Sequence, residues 1–229
     1  MIISFKQQFK QAPITVSILI LTVLIFIVEL IIGGGQTDDG RLLVVLGAKW
    51  GPYIKLHHDY WRLVTPLFLH AGFMHIFTNM LTLWFIGPLV ESAFGSRKFL
   101  FLYLFGGIIG NILSYLFAPL TVSVGASSAL FGLFGGMILY ALQFKDDPRI
   151  RSQGTVMILF VALNLVTGFA TTGIDMWGHI GGLIGGMIFT IIVGFYGRAG
   201  KYPPMMRLAM IVVTIIILIL TAIPKGGVT

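Results

Sequence analysis

Seven apolar runs, near residues 14–32, 70–90, 99–117, 127–144, 154–171, 178–196 and 207–223, divide the chain. Each approaches the roughly 20 residues that a helix needs to cross a hydrocarbon core of about 30 Å. Inside lipid only helices and closed barrels satisfy their own backbone, so the pattern predicts an all-α fold: a polytopic transmembrane helical bundle, one membrane domain over 1–229 with no soluble domain. The first run follows Lys6 and Lys10 as a signal peptide would. It is long and lacks a convincing small-residue cleavage site, so it reads as a retained helix.

Composition agrees with the pattern: 57% of the 229 residues are hydrophobic and 10% charged, against about 25% charged in water-soluble domains. There is no cysteine, which removes disulfides, thiolate metal sites and a cysteine nucleophile. The net charge of +7 could signal nucleic acid. The basic residues, however, are scattered between apolar spans without a basic run, so membrane topology explains them and no nucleic-acid partner is expected. With the N-terminus in the cytoplasm, ten basic residues fall inside: Lys6, Lys10, Arg97, Lys98, Lys145, Arg149, Arg151, Arg198, Lys201 and Arg207. Five fall outside: Arg41, Lys49, Lys55, Arg62 and Lys225. Positive charge concentrates in cytoplasmic loops, so the expected orientation is N-terminus in and C-terminus out, in what reads as a bacterial plasma membrane.

Residues 33–69 open with Gly33, Gly34 and Gly35 and then mix aromatic and basic side chains: Trp50, Tyr53, His57, His58, Tyr60, Trp61 and Arg62. That mixture suits an aromatic anchor loop at the headgroups, with guidance of a substrate as the second reading. His57 and His58 read as solvated rather than metal-binding. Glu29, near the outer end of the first run, reads as interfacial, and Glu91, at the start of the first cytoplasmic loop, as a cap or anchor.

Polar side chains inside spans are costly and ask for a reason. The second span holds His70, His75 and Asn79; the fourth opens with Gly125, Ala126, Ser127 and Ser128; the sixth opens with Gly178, His179, Ile180, Gly181 and Gly182. In the expected topology these spans all run from outside to inside. Each cluster therefore lies within roughly 15 Å of the outer end of its helix, at about 1.5 Å per residue. One site built from three helices, open to outside water, follows. A serine hydroxyl becomes a nucleophile when a neighbouring base takes its proton, and imidazole titrates near neutral pH. His75 and Asn79, spaced i and i+4, project from one helix face and could aim two donors at a developing oxyanion. Ser128, Gly132 and Gly136 form one stripe of small residues, and Gly178, Gly182 and Gly186 another, with Gly181 and Gly185 beside it. Such stripes let helix backbones approach closely. Taken singly, each of these residues has a plain structural use; it is their common depth that favours a site. Asp175 could orient His179, but lies four residues before it at the water boundary, and that role is not expected.

At these residues the sequence resembles the rhomboid family of intramembrane serine proteases. The resemblance rests on Gly125-Ala126-Ser127-Ser128, on Gly178-His179-Ile180-Gly181-Gly182, on His75 through Asn79, and on Trp61-Arg62, in the expected order. It covers about residues 10–196 and implies a six-helix core, with the helix near 207–223 as a C-terminal extension. It also implies a Ser127–His179 dyad without an acidic third member, with an oxyanion held by His75, Asn79 and the backbone N–H of Ser127. His70 would organise water and the neighbouring loop. Phe131 stands where some members carry a tyrosine packed against the catalytic histidine. Ser128 replaces a frequent glycine, leaving two adjacent serines; the match in position selects Ser127, with Gly125 two residues before it.

The implied activity is endoproteolysis of transmembrane or juxtamembrane segments of membrane proteins through an acyl-enzyme, in contact with the lipid bilayer and with no metal or cofactor. A non-proteolytic chaperone or quality-control relative is the alternative, though such relatives lose the serine or histidine that this chain keeps. A small transporter is a more distant one, for which internal repeats are not evident.

Overall fold

The computed structural model describes residues 5–171, 173–196 and 202–223. It contains α1 (Phe5–Gln11), α2 (Pro13–Ile32), α3 (Gly40–Leu46), α4 (Gly51–His57), α5 (Phe73–Phe94), α6 (Ser96–Phe117), α7 (Ser127–Gln143), α8 (Pro148–Ala170), α9 (Met176–Val193) and α10 (Pro204–Ala222). Among the described residues there is no strand, only an isolated antiparallel bridge between Lys49 and Ser123. The seven expected spans correspond to α2 and α5 to α10. Six of them are long and apolar enough to cross a membrane, while α7 has 17 residues. Of the basic residues used to orient the chain, Arg198, Lys201 and Lys225 lie outside the described residues.

Local chemistry sets the helix ends. Pro13, Pro148 and Pro204 each open a helix, at the position where the missing N–H costs nothing and the fixed φ is already helical. Asp147 caps α8 by accepting from the N–H groups of Arg149 and Ile150. Glu91 of α5 does the same for its neighbour α2. Its carboxylate accepts from Ile14 N at 3.1 Å, Thr15 N at 2.8 Å and the Thr15 hydroxyl at 2.7 Å. The expectation that Glu91 anchors local structure is therefore met, and the buried carboxylate also faces the positive end of the α2 dipole. At the opposite polarity, Lys98 Nζ donates to the carbonyls of Val193, Gly194 and Phe195 at the end of α9. Arg207 Nε donates to Ile192 O at 2.8 Å and so fastens α10 to the same terminus.

The short helix α7 lies at the centre, with 13 of its 17 residues buried, and packs against both α6 and α9, which also pack against each other. The glycines make this possible. A Cβ on Gly106 would lie 2.8 Å from the Cα of Gly132, so α6 and α7 cross backbone to backbone. A Cβ on Gly182 would fall on the carbonyl of Ser128, and one on Gly186 on the carbonyl of Gly132, well inside van der Waals contact. One turn further, a Cβ on Gly136 would lie 3.1 Å from the hydroxyl of Thr190. The two stripes read in the sequence thus meet at 128 with 182 and 132 with 186, while Gly136 meets Thr190, beyond the second stripe, and Gly178 lies against Gly110 of α6. By contrast, α8 and α10 are peripheral, with exposed apolar side chains such as Leu159, Val166, Leu208 and Ile219.

Residues 33–69 correct the reading of a simple anchor loop. Trp61 and Tyr60 are exposed, as an interfacial belt requires, but Arg62 and Lys49 are buried. Arg62 donates to the carbonyls of Val44 at 2.6 Å and Ala48 at 3.2 Å, pairs with Asp59 at 3.0 Å, and lies within 4.6 Å of the ring centres of Tyr53 and Trp61. The segment is a small folded unit wrapped around a cation, because a guanidinium has enough donors to satisfy several turns at once. His57 and His58 are exposed, as expected.

A side chain at Gly186 should force α7 and α9 apart. Gly186→Val is expected to lower stability by about 1–3 kcal/mol, read as a fall in the thermal midpoint in detergent. Gly40→Ala, where nothing lies within 4 Å of the new Cβ, should leave the midpoint unchanged.

Candidate active site

Ser127 is the first residue of α7 and His179 lies in the first turn of α9. The close crossing of these helices brings the Ser127 hydroxyl to 2.9 Å from His179 Nε2, an ordinary hydrogen-bond length. The hydroxyl can donate only to the tautomer that carries its proton on Nδ1 and leaves the Nε2 lone pair free. Nδ1 is buried and has no hydrogen-bond partner among the described residues. Phe131, one turn after Ser127, stacks on the imidazole with ring centres 4.3 Å apart and planes at 8°. Ser128 points elsewhere: it is buried in the packing with Gly110 and Gly182, and its hydroxyl has no hydrogen-bond partner among the described residues.

The approach to Ser127 is set by Gly125, whose φ of +117° is a left-handed value that favours glycine. Its N–H donates to Pro66 O at 2.8 Å. A Cβ there would sit 2.7 Å from Cε1 and Nε2 of His75 and 3.7 Å from the Ser127 hydroxyl, so the His75 ring lies against the segment that leads into the serine. His75 Nδ1 accepts the N–H of Ala71 at 3.3 Å, which leaves Nε2 as the protonated donor on that side. Asn79, buried one turn on, donates from Nδ2 to the carbonyl of His75 at 2.9 Å. One of its two amide hydrogens is thus committed to its own helix, and one remains.

His70 connects three segments. Its Nε2 accepts from Ala126 N at 3.4 Å, its Nδ1 faces Phe68 O at 3.4 Å, and its ring centre lies 5.1 Å from that of His75. The backbone N–H of His70 donates to Glu29 at 3.2 Å. Glu29 is therefore not interfacial. It is 1% exposed and ties α2 to the segment beneath the site, while its other carboxylate oxygen has no partner among the described residues. The signal was present in the sequence, since a carboxylate inside an apolar run seldom stands without an inward task.

Two further residues that carried no expected role converge beside the site. Asp175 caps α9 by accepting from Gly178 N at 3.0 Å and takes hydrogen bonds from the hydroxyls of Ser114 and Ser123. Lys49 is fully buried and donates from Nζ to the carbonyls of Ala118 at 2.9 Å and Thr121 at 2.8 Å. All the residues singled out by sequence, Ser127, His179, His75, Asn79, Gly125, His70 and Phe131, lie at the starts of α5, α7 and α9 or in the segments that lead into them. Among the described residues no group of histidine, aspartate and glutamate could hold a metal ion.

A model of the Rhomboid domain matches residues 57–196. The chain belongs to the rhomboid family. It is 40% identical over 184 residues to the rhomboid protease GluP of Bacillus subtilis, covering 80% of this chain and 35% of that protein. It is 34% identical over 181 residues to rhomboid-like protease 3 of Toxoplasma gondii, covering 77% of this chain and 66% of the relative. The putative rhomboid protease YdcA of Bacillus subtilis is 37% identical over 135 residues, 58% of this chain and 67% of its own. The chain thus spans about a third of the first relative's length and two thirds of the other two. Membership of this family, with six apolar helices of spanning length, makes it an integral, multi-pass membrane protein.

Burial pushes the Lys49 ammonium down to about 8, with the Asp175 carboxylate opposing the shift. A base depressed in the folded state favours folding fully above its ordinary value of 10.5 and loses that contribution as pH falls through about 8. The thermal midpoint of the native protein should therefore rise between pH 8 and 10.5 relative to that of Lys49→Met; parallel pH curves would contradict it.

Proposed function

We propose that this rhomboid is an intramembrane serine endopeptidase that cleaves transmembrane or juxtamembrane segments of membrane proteins. The observation that carries this reading is the 2.9 Å contact between the Ser127 hydroxyl and His179 Nε2, made by the starts of two closely packed helices. The relatives named as proteases support it. His179 accepts the hydroxyl proton as Ser127 attacks the scissile carbonyl, then returns it to the leaving amine; water resolves the acyl-enzyme by the same route. The tetrahedral oxyanion lies at the start of α7, where backbone N–H groups lack intrahelical partners and the dipole favours negative charge. The Ser127 N–H, His75 Nε2–H and the remaining Asn79 hydrogen are the donors, acting where little water competes. His70 holds the loop entering Ser127, and Phe131 holds the plane of the base.

A substrate helix must unwind locally before it can react, because its carbonyls are already bonded within the helix and shielded. Small or helix-breaking residues near the cut therefore favour cleavage. The N-terminus in, C-terminus out orientation places the dyad toward the outer face of a bacterial plasma membrane.

In detergent or liposomes the purified protein should cleave a single-span reporter. Ser127→Ala and His179→Ala should abolish the cut, whereas Ser128→Ala should keep activity within several-fold. A fluorophosphonate probe, followed by peptide mapping, should modify Ser127; persistent cleavage by Ser127→Ala, or modification at Ser128, defeats the assignment. Loss of one oxyanion donor in His75→Ala should lower kcat by about 10²–10³-fold, and Gly125→Ala, which strains φ and displaces His75, should act in the same direction.

A further inference from the structure

The knot of polar groups around Asp175 and Lys49 touches neither the Ser127 hydroxyl nor the His179 ring, yet it joins the chain segments that carry both. Asp175 lies four residues before His179, and Ser123 four residues before Ser127. The Asp175 carboxylate accepts the Ser123 hydroxyl on one side and the N–H of Gly178, next to His179, on the other. The same carboxylate accepts the hydroxyl of Ser114 near the end of α6, and the backbone carbonyl of Asp175 accepts from His179 N at 3.2 Å. Ser123 is held a second time by its backbone, which exchanges two 3.0 Å hydrogen bonds with Lys49. The buried ammonium of Lys49 then fastens the rest of that loop through Ala118 and Thr121.

We infer that Asp175 is a positioning residue for catalysis, a clasp that sets the separation of the nucleophile arm and the base arm, with Lys49 fixing the loop against which it closes. The inference rests on the protease reading. Asp175 is not the acid of a triad, because its carboxylate oxygens are used by Gly178, Ser114 and Ser123 and His179 Nδ1 has no partner among the described residues. It acts on distance. The glycine contacts of α7 with α9 fix how closely the helices lie lower down, while the loop above Ser127 is tied by its backbone to Gly51, Pro66 and His70, none of which belongs to α9. There the Ser123–Asp175 link closes the two arms, and a displacement of about 1 Å at reacting atoms can cost about a hundredfold in rate.

The test measures, on full-length protein in detergent, reporter cleavage and the rate of fluorophosphonate labelling at Ser127. Asp175→Ala should lower kcat by about 10- to 100-fold with KM within about threefold, and labelling should slow in parallel. Asp175→Asn, which keeps an acceptor for Gly178 and can bond the two hydroxyls, should recover most of both rates. Ser123→Ala, which cuts only the side-chain link and keeps the backbone pair with Lys49, should slow labelling several-fold and serves as the deciding variant where Asp175→Ala does not fold. Unchanged labelling in Ser123→Ala, unchanged kcat in Asp175→Ala, or an asparagine variant as slow as the alanine one would overturn the clasp. Native protein that labels and cleaves alongside such results leaves the protease reading standing; native protein that does neither defeats both.

Discussion

The structure depends on the closeness of three helix backbones. In lipid there is no hydrophobic drive to press apolar helices together, so association relies on packing and on polar contacts between them. At Gly106, Gly132, Gly182 and Gly186 the side chain has been removed so that the main chains of α6, α7 and α9 meet directly. The register of these contacts has a chemical consequence. Pairing Gly132 with Gly186 and Ser128 with Gly182 leaves Ser127 and His179, one residue and three residues earlier, at the mouth of the same interface. Helix packing just below the pair thus brings the two arms near each other before any loop contact above Ser127 acts on them.

A second constraint is the treatment of charge. The charged side chains that tie elements together, from buried Glu91, Arg62 and Lys49 to exposed Arg207, sit at helix ends or at turns rather than in mid-span. Glu91 takes the N-terminal donors of α2, Lys98 and Arg207 take the C-terminal acceptors of α9, Asp175 caps the start of α9, and Arg62 and Lys49 gather loop carbonyls. Each ion finds partners that the fold leaves unpaired for geometric reasons, since a helix has four orphan groups at each terminus. The arrangement offsets the desolvation of the ion and fastens one element to another through a single side chain.

This pattern explains what could be read from the sequence. The spans were legible because hydropathy over about 20 residues is a local property, and their predicted edges fall within a few residues of α2 and α5 to α10, except at α8, which begins at Pro148 rather than 154. Asp147 and Pro148 make an N-terminal signal that polar residues in the first turns of α8 obscured in the hydropathy. The site was legible because serine, histidines and asparagine stand out against an apolar background. Residues 33–69 were not, because an arginine beside a tryptophan looks the same in sequence whether it faces headgroups or is buried under carbonyls. Glu29 was misplaced for a related reason: distance along a helix from its end does not reveal which way the side chain faces. Asp175 was set aside through a question about the wrong atom, since its partners are hydroxyls from elsewhere in the chain rather than the imidazole.

Under the proposed protease reading, the geometry around His179 also bears on why two residues would serve where water-soluble serine proteases often use three. In a triad the acid selects the tautomer of the base and holds its ring in line with the serine. Here the second task is divided between two apolar constraints. The parallel face of Phe131 at 4.3 Å limits rotation of the imidazole out of its plane, and the glycine contacts of α9 limit movement of the backbone that bears it. The first task is met in the tautomer with hydrogen on Nδ1, which alone leaves Nε2 free to accept the Ser127 proton. In the proposed reaction the imidazolium would be balanced by the oxyanion that forms with it. A site set among membrane helices gains from this economy, since a third charge there would require its own partners, and the carboxylate of Asp175 is already bonded to the hydroxyls of Ser114 and Ser123 and to the N–H of Gly178.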